Sequence, residues 1–218
     1  MKSEFLSKLP SFFDRTEFAI RFFVGIRRHR IPFEKISRAL PLDARVLDVG
    51  CGHGLLSAAL ALDAPERRVF GFDHDESRIG TAREVFAEIG NLSFTVGSIE
   101  AMPSNDYDGI SAIDVLHYLA PEEQESFAAA AERQLKVGAA LLIREVDTAC
   151  ISSHCHRLYE FLAIRFGLTK TRHRRAHYRT AKEWRLLFDS HGFDVTSWPR
   201  ESFATADTIL HCVKRGSS

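Results

Sequence analysis

Along this chain, short apolar runs ending in a charged residue alternate with stretches whose apolar positions recur every three to four residues. Val46-Leu47-Asp48-Val49 is such a run. It breaks into Gly50-Cys51-Gly52-His53-Gly54, and Leu55, Leu56, Ala59, Leu60 and Leu62 follow at helical spacing. The pattern predicts a buried strand, a tight glycine turn and a helix. A second run, Arg68-Val69-Phe70-Gly71-Phe72, predicts a strand ending at Asp73. Upstream, Phe18, Arg21, Phe22 and Gly25 recur at helical spacing, so residues 16–29 read as an amphipathic helix. Downstream, Leu158, Phe161, Leu162 and Ile164 read as a helix that Gly167 ends. Thr180-Ala181-Lys182-Glu183 has capping-box form and starts a helix that stops at Gly192.

The glycine turn points to a ligand, because glycine allows positive φ and lets a small molecule lie against bare backbone. The helix N-terminus behind it presents unpaired N–H groups to that ligand. The dinucleotide fingerprint G-x-G-x-x-G fails in both registers, with Leu55 or Ser57 standing where its last glycine belongs. The chain instead has D-x-G-x-G-x-G, beginning at Asp48, and Asp73 lies 21 residues after Gly52. That is close to the offset at which a strand-end carboxylate accepts from both hydroxyls of a ribose in open α/β sheets.

With these residues the chain resembles the class I S-adenosylmethionine (SAM) dependent methyltransferases, and the likeness continues in order. Residues Ser93 to Pro103 look like the family's third strand and adenine-binding loop, and Tyr107 to Leu119 like its fourth strand and the turn after it. Gln134-Leu135-Lys136-Val137-Gly138 followed by Ala139 to Glu145 resembles the turn into strand five. The likeness is close over residues 42–149 and looser over 180–214, where it implies a last helix and two strands. The implied fold is α/β: a seven-stranded Rossmann-like sheet, mostly parallel with an antiparallel last strand, helices on both faces, an N-terminal helical segment and a lid inserted after strand five. The implied organisation is a helical cap (1–41), a SAM-binding core (42–149), a basic lid insertion (150–179) and the C-terminal part of the core (180–218), one domain overall.

The resemblance also implies roles. Asp48 orders the glycine turn and the cofactor's amino end, and Gly50, Cys51 and Gly52 line it with backbone. Asp73 takes the ribose with His74 beside it, and Ser98 and Ile99 flank the adenine. Asp114 and Val115 lie near the methionine portion. Many family members carry aspartate where Ser98 stands; a serine hydroxyl accepts a hydrogen bond there without charge. Asp75 and Glu76 read as first-turn charges on a helix. His117, just past strand four, is the candidate general base, since its ordinary pKa lets it accept a proton near neutrality. A purely structural histidine is the competing reading. Tyr118, Glu145, His154 and Tyr178 are lesser candidates.

Composition sets the bounds. The 218 residues are 45% apolar, enough for one full core. No stretch approaches the ~18 apolar residues of a membrane span, which leaves peripheral contact with a membrane open. Cys51, Cys150, Cys155 and Cys212 have no disulfide-framework spacing, so a reducing cytoplasm is the default. Cys150, His154, Cys155 and His156 invite a metal reading, but no second ligand pair completes a tetrahedral site, and no metal is expected. The formal charge of zero hides a net of +5 in residues 1–38 and +6 in residues 150–179, leaving −11 elsewhere. Seven phenylalanines (Phe5, Phe12, Phe13, Phe18, Phe22, Phe23, Phe33) lie in the first of these basic segments. Most are expected to pack as core.

The leading reading is an enzyme that methylates a small-molecule or lipid-like acceptor, with an anionic or carrier-bound one favoured by arginines beside phenylalanines. A nucleic-acid methyltransferase using the basic lid is the alternative. The residues after strand four, Asp114-Val115-Leu116-His117, are not the Asn/Asp-Pro-Pro-Tyr motif of amino-methylating nucleic-acid enzymes. A non-catalytic SAM-binding sensor or assembly protein is the second alternative.

Overall fold

The structure is a computed structural model that describes residues 9–14, 16, 18, 20–21, 24–25, 31–98, 106–149, 176–198 and 207–216. Its regular elements are α1 (Phe33–Arg38), β1 (Arg45–Val49), α2 (Leu55–Asp63), β2 (Arg68–Asp73), α3 (Glu76–Val85), β3 (Leu92–Val96) and β4 (Tyr107–Ile113). They continue with α4 (Pro121–Gln134), β5 (Leu135–Val146), α5 (Ala181–Ser190), β6 (Phe193–Ser197) and β7 (Asp207–Lys214). The seven strands form one sheet in the order β3-β2-β1-β4-β5-β7-β6. This is the sheet that the resemblance implies, and β7 runs antiparallel to both β5 and β6. The chain divides into two compact units, Met1–Ile110 and Ser111–Ser218.

In the first unit β1 pairs parallel with β2, and β2 with β3. Four of the five β1 residues are buried in succession, the signature of a parallel strand covered on both faces. Helix α2 is rich in Ala and Leu, the strong helix formers, and Leu55 to Ala61 are all buried. It stops at Ala64, which is extended because Pro65 follows. Arg67 is fully buried. Its guanidinium donates to the Pro41, Leu60, Leu40 and Ser37 carbonyls and to Ser37 Oγ, so the desolvated charge is fully hydrogen-bonded. Helix α3 starts at Asp75, whose carboxylate caps it by accepting from the Ser77 and Arg78 N–H groups. Asp75 is thus the cap itself, and Glu76 the first-turn charge.

Of the N-terminal phenylalanines, Phe13 and Phe33 are buried and Phe12 is partly exposed. Phe12 and Phe13 both pack on Phe86, which packs on Phe94. The described residues between 18 and 25 are helical, as the periodicity predicts. The buried side differs from the expected one, however: Phe18 is 73% exposed and Val24 is buried. Phe5, Phe22 and Phe23 lie outside the described residues.

In the second unit β5 is paired from Ala140 to Val146 along β7. The strand begins at Leu135, so the expected turn at residues 134–138 is largely extended backbone, with Gly138 at φ +78°. Helix α5 runs from its Thr180 cap to Ser190, with Trp184, Leu187 and Phe188 forming its buried stripe. Gly192 takes φ +87° just beyond it. Of the lid insertion expected over residues 150–179, residues 150–175, with His154 and the Cys/His cluster, lie outside the described residues.

Candidate active site

The glycine turn is left-handed at each glycine, with Gly50 at φ +67°, Gly52 at +56° and Gly54 at +79°. The Cys51 N–H donates to the Phe72 carbonyl (3.0 Å), and the Gly54 N–H donates to the Cys51 carbonyl (2.9 Å). A Cβ on Gly52 would meet nothing within 4 Å, so this part of the turn borders open space where a ligand can lie on backbone. A Cβ on Gly54 would come 2.5 Å from Phe94 Cζ, and one on Gly71 2.8 Å from both Phe94 Cδ1 and Ser57 Oγ. Two glycines therefore make room for one ring.

Asp73 is buried, and its carboxylate organises the turn before any ligand does. Oδ2 accepts from the Gly52 N–H (3.0 Å) and Oδ1 from the Asp75 N–H (2.9 Å). His74 Nδ1 lies 3.2 Å from Oδ1, with its ring largely in solvent. A carboxylate has about four acceptor sites, so Asp73 retains capacity for a ribose hydroxyl. Burial pushes its carboxyl up, but hydrogen bonds from His74 and the Asp75 N–H, with the Arg78 charge, more than reverse this and hold it below its ordinary value. The same hydrogen bond raises the His74 pKa.

Asp48 is buried at the end of β1 and accepts from Ser57 Oγ (2.5 Å), tying the strand to the first turn of α2. Burial, then the charges of Asp48 and Asp73, push the Cys51 thiol well above its ordinary value. Such a thiol stays protonated and is no nucleophile, which fits a backbone-lining role. Ser98 is exposed after β3, and Ile99 lies outside the described residues.

The second unit holds a different constellation on the turn after β4. Asp114 adopts φ +57°, a left-handed conformation uncommon outside glycine. It is gripped by Arg144 of β5: the Asp114 N–H donates to the Arg144 carbonyl, and Arg144 Nη1 reaches both carboxylate oxygens at 2.6 and 2.5 Å. Nη2 of the same buried guanidinium binds Asp207. Burial lowers the Arg144 pKa, but the two aspartates outweigh this and raise it.

The next residue of β5, Glu145, grips the rest of the turn. Its Oε1 accepts from the Val115 (3.1 Å) and Leu116 (2.6 Å) N–H groups, and its Oε2 lies 2.6 Å from His117 Nδ1. Both members of that pair are buried. An ionised carboxylate only accepts, so Nδ1 carries the proton and Nε2 is the basic nitrogen. Tyr118 packs against the imidazole at 4.0 Å between centroids, and Tyr178 lies nearly parallel to it at 5.3 Å.

Three of the lesser candidates, Tyr118, Glu145 and Tyr178, thus gather on His117. Arg144, Asp207 and Gln124 were not foreseen. The one available signal was Arg144-Glu145, two charges closing the apolar run Ala139 to Ile143. A groove of about 520 Å³ between α5 and β6 is lined by none of the foreseen residues.

Comparison with known proteins follows the same outline. Residues 46–138 match a family model described as a methyltransferase domain. An uncharacterized methyltransferase of Schizosaccharomyces pombe is 31% identical over 121 residues, covering 49% of this chain and 42% of that protein. Ribosomal RNA large subunit methyltransferase G of Streptomyces avermitilis is 34% identical over 98 residues, covering 44% of this chain and 23% of that one. The chain therefore spans less than half the length of these curated relatives. Magnesium protoporphyrin IX methyltransferase of Synechocystis PCC 6803, solved with bound SAH, superposes with a TM-score of 0.66 at 19% identity, covering 97% of this chain and 95% of that one. No helix among the described residues is long and apolar enough to cross a membrane.

Proposed function

We propose that this chain, whose residues 46–138 match a methyltransferase domain, is a class I SAM-dependent methyltransferase that methylates a small or lipid-like acceptor after His117 removes its proton. The observation that carries this reading is the His117–Glu145 pair at 2.6 Å. A histidine fixed through Nδ1 by a buried carboxylate is oriented as a base, and its imidazolium is stabilised as it forms.

The cofactor supplies an activated methyl group. The chain's own residues supply binding, orientation and a proton acceptor. Gly50, Cys51 and Gly52 offer backbone, Asp48 steadies the turn through Ser57, and Asp73 offers its remaining acceptor site to a ribose hydroxyl. His74 flanks Asp73, and Ser98 and Ile99 flank the adenine. Asp114 and Val115 line the methionine portion, with Asp114 already neutralised by Arg144. As the acceptor atom gains the methyl group, its bond to hydrogen breaks and the proton passes to His117 Nε2. Orientation of this kind is worth several kcal/mol.

The basic segments support an acceptor with a negative end, and the phenylalanines an apolar body. A nucleic-acid acceptor is the second reading, favoured by the likeness to a ribosomal RNA methyltransferase and by the net charge of residues 150–179.

Calorimetry tests the cofactor half. S-adenosylhomocysteine is expected to bind, Asp73→Asn to weaken it by roughly tenfold or more through loss of a charge-assisted hydrogen bond, and His117→Ala to leave it nearly intact. Binding of NAD in its place would overturn the reading. Mass spectrometry of co-purifying lipids and metabolites identifies the acceptor class, and salt-sensitive RNA binding would favour the second reading. With the acceptor in hand, unchanged turnover of His117→Ala at saturation would remove His117 as the base.

A further inference from the structure

Residues 177–181 lie against the turn that carries His117 and are anchored almost residue by residue. The His177 N–H donates to the His117 carbonyl at 2.6 Å. Arg179 Nε donates to Gln124 Oε1 at 2.6 Å, and its Nη2 lies 3.4 Å from Glu125. Thr180 is bonded to Glu183, and the Ala181 N–H donates to Asp147 Oδ1 at 3.1 Å. The joint is Gln124, a buried side chain of α4. Its Nε2 shares its two N–H bonds among the carbonyls of Leu116 (3.0 Å), Leu119 (3.2 Å) and His177 (2.9 Å). One amide therefore joins both ends of the His117 turn to the strap, because its nitrogen donates to carbonyls on one side while its oxygen accepts from a guanidinium on the other.

The residue this places on the base is Tyr178, whose ring lies 11° from parallel with the imidazole. The hydrogen bond from Nδ1 to Glu145 fixes one point of the His117 ring, and Tyr118 meets the ring tilted at 50°. Tyr178 adds a nearly parallel face held from a clamped backbone, and a parallel face is what defines the plane of the imidazole. A catalytic group has to be held within about 10–20° of its working direction.

We propose that Tyr178 is a positioning residue for the methyl-transfer base: clamped by Gln124 through His177 and Arg179, its ring sets the plane of His117 and shuts one face of it to solvent. The inference rests on the reading of His117 as the base and deepens it. The contact required is a ring face and not the phenol, so phenylalanine is the rescuing substitution.

The test is carbethoxylation of histidines by diethyl pyrocarbonate at one fixed neutral pH, followed by peptide mass spectrometry. It needs no acceptor. His74, whose ring is largely in solvent, reacts freely in every variant and serves as the internal standard. In the unaltered protein His117 is expected to react at least about tenfold more slowly than His74. Tyr178→Ala and Gln124→Leu are each expected to raise the His117 rate about tenfold relative to His74, and Tyr178→Phe to keep it low, as for a local opening without global unfolding. Tyr178→Leu keeps apolar bulk without a flat face and makes the same test should the alanine variant not fold. A His117 rate in the leucine variant equal to that in Tyr178→Phe would overturn the proposal, as would a phenylalanine variant as reactive as alanine. Calorimetry with S-adenosylhomocysteine on the same samples keeps the two readings apart. Failure of the unaltered protein to bind it counts against the enzymatic reading, whereas the modification pattern alone judges Tyr178.

Discussion

Gly54 has two separate reasons to be glycine, and Gly52 has one. Both are left-handed, but only at Gly54 would a Cβ meet Phe94 and Ala82. Left-handed backbone costs alanine about 1–2 kcal/mol, and overpacking a buried contact adds about 1–3 kcal/mol. Gly54→Ala is therefore expected to lower unfolding free energy by about 2–5 kcal/mol, read from the denaturant midpoint. Gly52→Ala is expected to cost only the backbone part, about 1–2 kcal/mol, and to do its main damage to S-adenosylhomocysteine affinity. Equal stability losses would refute the distinction.

At this scale the sequence was informative where chemistry is local. Gly50 to Gly54, Asp73 and His117 each sit in a short motif that marks them as candidates. Gln124 and Asp207 were silent, and Arg144 showed only as a charge closing an apolar run, because their partners lie far away along the chain and no short pattern records such pairings. Arg144 to Asp207 spans 63 residues and Gln124 to Arg179 spans 55.

Among the elements, α5 is the one whose start was fully written in the sequence. Thr180 Oγ1 accepts from the Glu183 N–H at 3.2 Å, and the Glu183 carboxylate accepts in return from the Thr180 N–H at 2.7 Å. Those bonds, backbone first, lower the Glu183 pKa. Thr180→Ala is expected to cost about 1 kcal/mol in the denaturant midpoint, with Thr180→Ser nearly neutral. Because Thr180 also ends the strap over His117, the alanine variant tests whether the cap and the strap are energetically separate. Other elements were less legible. Periodicity announced the helix near residue 20 but put Phe18 on its buried side, because a phenylalanine at helical spacing does not say what neighbour awaits it. The start of β5 reads as turn in the sequence, since Lys136 and Val137 lie in the strand but are solvent-exposed and Gly138 is left-handed.

For the molecule as a whole, the His74–Asp73 pair gives stability a pH signature. The folded His74 pKa is raised above 6.5 by its hydrogen bond to Asp73. The pair therefore stabilises fully below that ordinary value, and the contribution fades as pH rises through the raised one. Asp73 is depressed below 3.8, so its own contribution is present above that value and is lost only as pH falls through the lower one. Thermal melts of the unaltered protein and His74→Gln are expected to differ most between these limits and to converge in alkali. A difference that grows with pH would contradict the pairing. The order of strands was legible as a likeness to a known family, since blocks in the right sequence imply a sheet. The uneven charge of the chain was legible as arithmetic, but its recipient was not, because a basic stretch names the sign of a partner and nothing else.

The ring of Phe94, seated against the Cα atoms of Gly54 and Gly71, has a consequence for heredity. Positions 54, 71 and 94 cannot drift independently: an alanine arriving at either glycine needs a smaller residue at 94 beforehand. In lineages descended from this sequence the three should change together, with the loss of bulk at 94 coming first. A position buried behind the turn would thus govern which turn sequences remain reachable.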